Sequence, residues 1–256
     1  MNRRDTLIAL IALGAMPGVV KAQPATARLA WIGSGSAEGS SATLAAFRAG
    51  MSEVGLAEGK DYVLDLFWSD GKYERFPEML EAAIKRKPAL ILVSTIASVR
   101  AAQLATKEIP ILMLGTNDPV AAGLVKSLAR PGGNTTGMAT MNDDRAPKLL
   151  EFFREAAPKA KRIAVLINPL NPSNLTIFQS LQSAATKTGM VAEAFEADSP
   201  KRIDDAIAAL SRKRPDALVT GFDFMLHDQR AKIVTLAIGH KIPVLAASST
   251  FAEAGA

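Results

Sequence analysis

The chain has 256 residues, 48% hydrophobic and 21% charged, a composition that suits one large globular domain or two of medium size. It has no cysteine, so disulfides, thiolate catalysis and cysteine-based metal sites are excluded, and two histidines leave little for a histidine metal site. The net charge of +5 is scattered rather than gathered into a basic stripe, which argues against nucleic acid as a partner.

The first residues read "MNRRDTLIALIALGAMPGVVKAQ". A basic start precedes the apolar run Leu7 to Leu13, and small residues follow up to Ala22, so residues 1–22 are expected to be a cleaved signal peptide. The apolar run is shorter than the roughly 20 residues a membrane span needs. The pair Arg3-Arg4 suggests twin-arginine export. Removing the leader takes three basic groups and one acidic group and leaves +3. No cysteine follows the cleavage point to carry a lipid anchor, so the mature protein is expected to be soluble in the periplasm.

The rest alternates short apolar runs with amphipathic stretches. "ARLAWIG" (27–33) predicts a strand. Leu44, Phe47, Met51 and Val54 then recur at helical spacing until Gly55. A strand at 62–68, a helix at 73–87, a buried strand at 89–94, a short helix from Ser98 and a strand at 109–115 follow. The pattern restarts after Gly137, with helices expected at 145–157, 174–189, 201–214 and 228–240 and strands at 162–168, 190–197, 216–221 and 242–248. Strand–helix alternation implies right-handed crossovers and parallel sheets.

The restart carries recognisable blocks. "RLAWIG" at 28 matches "RIAVLI" at 162, and both reach a glycine 27 positions later. "KRKPALILV" matches "RKRPDALVT", and "KEIPILML" matches "HKIPVLAA", in the same order. The fold class expected is therefore α/β with two similar lobes, an N-terminal lobe at 23–138 and a C-terminal lobe at 139–256.

In open parallel sheets, ligands bind beyond the carboxyl ends of the strands. In the first lobe those ends carry Ser34, Gly35 and Ser36, then Ser94 and Thr95, then Thr116, Asn117 and Asp118. The second lobe offers Asn168 and Asn171, Asp223 with Phe222 and Phe224, and Ser248 to Phe251. Small hydroxyls, amides and single acids suit a small polar solute. The stretch Ser34 to Ser41 precedes a helix, whose free N–H groups would favour a carboxylate. Asp118 stands before Pro119, where it could be an N-cap or, facing a closed cleft, could accept a hydrogen bond from an ammonium group. Nothing reads as catalytic: there is no Gly-x-Ser-x-Gly elbow and no Gly-Lys-Ser/Thr phosphate loop, and "GSGSAEGSS" (33–41) has the wrong spacing for a dinucleotide loop. No cofactor and no metal are expected.

"GTNDPVAAGLVKSLARPGGNTTG", "SDGKYERFPEMLEAAIKRKPALILV", "RIAVLINPLNPSN" and the closing "FAEAG" together resemble bacterial ABC transporter substrate-binding proteins of the tryptophan/tyrosine type. The resemblance runs from about Arg28 to Gly255. It implies the type I periplasmic binding fold, with two lobes closing on an amino acid that passes to an ABC permease in the inner membrane. It implies solute contacts from Ser34, Gly35, Ser36, Ser94, Thr95, Asn117, Asp118, Asn168, Asp223 and Phe224. Phe224, Phe251 or Trp68 would wall the side chain. Relatives continue for several dozen residues past the final glycine, so the second lobe and its crossover back to the first are expected to be incomplete. The alternatives are an enzyme acting on a sugar or nucleotide on the same frame, or a truncated chain without transport function.

Overall fold

The computed structural model describes residues 26–245 and 249–255; the expected signal peptide and Ser248 lie outside them. Residues with continuous apolar runs form the inner strands of two parallel sheets. The first contains β1 (Ala27–Gly33), β2 (Tyr62–Trp68), β3 (Leu90–Val93), β4 (Ile111–Asn117) and β5 (Thr135–Thr140), in the order β2-β1-β3-β4-β5. The second contains β6 (Arg162–Ile167), β7 (Val191–Glu196), β8 (Ala217–Thr220) and β9 (Val244–Leu245), in the order β7-β6-β8-β9. The first four strands of one order correspond to the four of the other, and each sequence block matched above falls on equivalent strands: β1 with β6, β3 with β8, β4 with β9.

Between them run α1 (Ser41–Glu53), α2 (Phe76–Lys85), α3 (Ile96–Ala105), α4 (Asn142–Ala156), α5 (Pro172–Lys187), α6 (Arg202–Arg212), α7 (Phe224–Asp228), α8 (Arg230–Gly239) and α9 (Ser249–Glu253). Pro77 falls in the first turn of α2, where its missing N–H costs nothing, and a short 3₁₀ turn, Tyr73–Arg75, leads into it.

Helices cover both faces of each sheet, which is why the strands lack a polar face. On the first sheet, Ala30, Ile32, Ile91, Val93, Ile111 and Met113 pack with Phe76 and Leu80 of α2 and Val99 of α3. Leu29, Trp31 and Leu92 face the other way, toward Leu44 and Phe47 of α1. In the second sheet, Ile163, Val165 and Ile167 meet Leu150 of α4 and Ile177 and Leu181 of α5. Ala164, Leu166 and Leu218 meet Ile203 and Ile207 of α6 and Ile233 of α8. Each large aliphatic side chain buried this way contributes about 1.5–3 kcal/mol.

Three elements depart from the expectation. Strand β5, "TTGMAT", has no apolar run, and it extends past position 138, where the lobe boundary was drawn. Gly137 lies so close to the backbone of Met113 that a β-carbon there would collide with it, which lets β5 lie against β4. The helix expected at 228–240 forms as α8, but the short helix α7 precedes it, and Ser249–Glu253 is helical.

Candidate functional site

The carboxyl ends of the two sheets hold the polar residues picked from the sequence. Ser34 follows β1 almost fully buried, its hydroxyl 3.2 Å from that of Thr95. Thr95 caps α3 by accepting from the Ser98 N–H, and the Ser98 hydroxyl accepts from the Thr95 N–H. Ser94 is half-buried beside it. The Ser34 carbonyl accepts from the Ser69 hydroxyl and the Gly71 N–H, and Gly35 is buried with its carbonyl taking the Asp70 N–H. This network fixes the loops at one end of the first sheet.

Asn117 is buried and its side-chain oxygen accepts from the Asn142 N–H at 2.8 Å. Asp118 has a left-handed φ of 30°, and its Oδ1 accepts from the Ala121 N–H at 3.0 Å, which closes a turn rather than capping a helix. Its neighbour Thr116 is fully buried, and its hydroxyl oxygen has no hydrogen-bond partner among the described residues.

In the second lobe Asp223 caps α7 through the Leu226 N–H. Its other oxygen accepts from Asn168 Nδ2 at 3.2 Å, from Asn171 Nδ2 at 2.9 Å and from the Tyr73 hydroxyl at 3.0 Å. Four donors hold this 6%-exposed carboxylate, and the last comes from the first lobe. Burial, and then the Asp223 carboxylate, raise the Tyr73 phenol well above its ordinary value, so it stays a donor. Asn174 sets this loop from beneath: its oxygen accepts from the Asn168 N–H and its amide donates to the Phe222 carbonyl.

A second cross-lobe contact joins Asp228, at the end of α7, to the loop after β1. Asp228 Oδ2 accepts from both the N–H and the hydroxyl of Ser36, each at 2.9 Å. Phe224 is half-buried and lies over Gly35, and Met225 packs over Gly71. The cross-lobe hydrogen bonds of Asp223 and Asp228 thus come from one short helix and its cap, and α3 of the first lobe also lies against α5 of the second. The place read from sequence as the seat of a solute carboxylate, ahead of α1, holds the protein's own carboxylate instead.

Phe251 is not at the cleft. It is 5% exposed in the core of the second lobe, edge-on to His227 with ring centres 6.3 Å apart. Trp68 covers Gly33 and tilts against Trp31, an edge-strand packing role. His227 has Nε2 3.0 Å from the Thr250 hydroxyl, and its pKa is lowered by burial and then by Arg230. Sequence reasoning missed Tyr73 and Asp228. Tyr73 is one of only two tyrosines, set just ahead of a helix, which was a weak signal; Asp228 gave none, because its partner is 192 residues away. No cluster of three or more metal-ligating side chains occurs among the described residues, and none of their helices is long and apolar enough to cross a membrane.

Two lobes of matching topology, meeting at the carboxyl ends of their strands, define the periplasmic binding class of architecture. The chain belongs to the ABC transporter substrate binding protein family, whose sequence pattern matches residues 36–256, a family of transport components rather than enzymes. It is 29% identical over 206 residues to a tyrosine-binding protein of Clostridioides difficile, a match covering 80% of this chain and 59% of that relative. The chain therefore spans about three fifths of the curated relative's length. A conserved domain protein from Vibrio cholerae O1 biovar El Tor is 26% identical, with a TM-score of 0.83 over 90% of this chain and 77% of that one. An ABC domain from Streptococcus pneumoniae in complex with L-Trp has a TM-score of 0.81 at 22% identity, over 90% of this chain and 77% of that one, which is a likeness of fold. A ligand-free, open substrate binding protein from Clostridium difficile is 28% identical yet scores only 0.56, over 89% of this chain and 76% of that one.

Proposed function

We propose that the protein is the extracytoplasmic solute-binding component of an ABC importer, closing its lobes on a small polar solute, an amino acid, and delivering it to a permease in the inner membrane. Residues 1–22 would direct export to the periplasm, and the rest would form two lobes, the first running through β5 to Thr140 rather than ending at 138. The observation that carries the reading is the meeting of polar strand ends from both lobes, tied by Tyr73 and Asp223. The mechanism is hinge closure: solute contacting both lobes favours the closed arrangement by its differential affinity.

In this reading the ammonium group meets Asp118, because the oxygens of Asp223 already hold four donors. The carboxylate meets Ser94 and Thr95 at the head of α3, with Ser34 and Asn117 close by and Asn168 facing from the other lobe. Phe224 walls the side chain. An aromatic amino acid is the preferred class, by analogy with the name of the curated relative.

The test is thermal melting of the exported chain against a panel of amino acids, with sugars and small organic acids as contrast. Solute that binds only the folded protein raises the midpoint. A cooperative melt raised by an amino acid supports the reading. A cooperative melt raised only by a sugar replaces the solute class, and a non-cooperative melt with no response removes the transport function from this chain.

A further inference from the structure

The Asp228 carboxylate is held as a bound anion would be. It takes two hydrogen bonds from Ser36, and the Ser36 hydroxyl in turn accepts from the Gly39 N–H at 3.0 Å. The surrounding loop is shaped to the group. A β-carbon on Gly39 would coincide with the Asp228 carboxylate, whose atoms are its three nearest neighbours, and one on Gly35 would lie 3.2 Å from Asp228 Oδ2. Neither glycine has a left-handed φ, so their own lobe does not require the missing side chain. The space is needed only for a group arriving from the other lobe.

We propose that Asp228 is a positioning residue for closure: its seat in the 34–40 loop draws the lobes together before solute enters, and that loop is not a solute-carboxylate subsite. Charge-assisted bonds of this kind are among the stronger hydrogen bonds, and this pair joins one lobe to the other. The proposal rests on the hinge-closure reading above but not on the identity of the solute. A solute therefore does not have to fill the seat ahead of α1, and its carboxylate is left to the head of α3.

The experiment is small-angle scattering of the solute-free protein, wild type against Asp228→Ala, Gly39→Ala and the double variant. Gly39→Ala leaves every contact within the first lobe in place and acts only where Asp228 must sit. Each single variant is expected to enlarge the radius of gyration. The double variant is expected to be no larger than Asp228→Ala alone, because without the carboxylate the added methyl meets nothing. Should Asp228→Ala fail to fold, Gly39→Ala decides the matter by itself. Unchanged dimensions in Gly39→Ala, or additive expansion in the double variant, would overturn the proposal. So would tighter binding of acetate to Asp228→Ala than to wild type, since that would mark the loop as a vacated solute seat. None of these readouts requires a known solute, so failure of the latch is distinguishable from failure of the transport reading.

Discussion

Replacing Tyr73 by phenylalanine removes one atom and one cross-lobe bond. The ring stays, and with it the packing on Phe76, whose centre lies 5.1 Å away. A hydrogen bond to a charged acceptor is worth about 1.5–3 kcal/mol. Asp223 keeps three donors after the change, so no bare charge is left buried, and the lower figure applies, about 1.5 kcal/mol. Because Tyr73 and Asp223 sit on different lobes, the loss falls on closure rather than on either core. About 1.4 kcal/mol is a tenfold change in an equilibrium constant, so solute affinity by isothermal titration should fall about tenfold. Urea midpoints for the solute-free protein should move little. An affinity within a factor of two of wild type would refute the reasoning, as would a stability loss with affinity intact, which would make the bond a fold contact.

Thr116→Val should raise the melting temperature, since a fully buried hydroxyl without a partner costs about 1–3 kcal/mol that valine avoids; a drop in solute affinity instead would place that hydroxyl on the solute. Asn174→Ala should destabilise by about 1–3 kcal/mol in chemical denaturation, because the buried Asn168 N–H loses its partner, while the Phe222 carbonyl keeps the bond from Asn171 Nδ2. Burial alone would raise the pKa of Asp65, but hydrogen bonds and charge from Arg28 and Arg86 outweigh it and hold the carboxyl below its usual range. A lowered carboxyl stabilises the fold above about pH 4 and loses that contribution as pH falls through the folded value. Asp65→Asn should therefore lower the melting temperature near neutrality and flatten its decline in acid. The raised phenol of Tyr73 acts on the other side: its contribution is complete below about pH 10 and is lost as pH climbs through the folded value. Tyr73→Phe should remove that alkaline limb from a plot of melting temperature against pH.

Strands with apolar side chains on both faces were legible because runs such as "ALILV" and "RIAVLI" are short, continuously apolar and bounded by polar turns, and lobe correspondence followed from matching them in order. Strand β5 was not, since its pairing rests on a glycine fitting against Met113 rather than on apolar residues. Helices of five residues, α7 and α9, are too short to display a period, so Phe251 read as a strand-end residue when it is a core residue. The loops of the site were visible as polar groups after apolar runs. Which group meets which was not. The bonds of Asp223 and Asp228 to the first lobe join residues 150 and 192 positions apart, and no local pattern encodes such a pairing.

The second-lobe groups that bond to Tyr73 and Ser36 and pack over Gly35 and Gly71 all come from six consecutive residues, Asp223 to Asp228. Met225 and Leu226 in the same stretch are also buried in their own core, which fixes the rotational phase of α7. A helix turns about 100° per residue. A one-residue insertion or deletion here would therefore swing Asp228 off Ser36 and pull the two apolar anchors out of the core together. Substitutions in α7 can act one contact at a time, whereas a change of length acts on all of them at once. Length in this segment should accordingly be far less tolerant of change than identity, and a library mixing substitutions with single-residue indels across 223–228 would show that contrast directly.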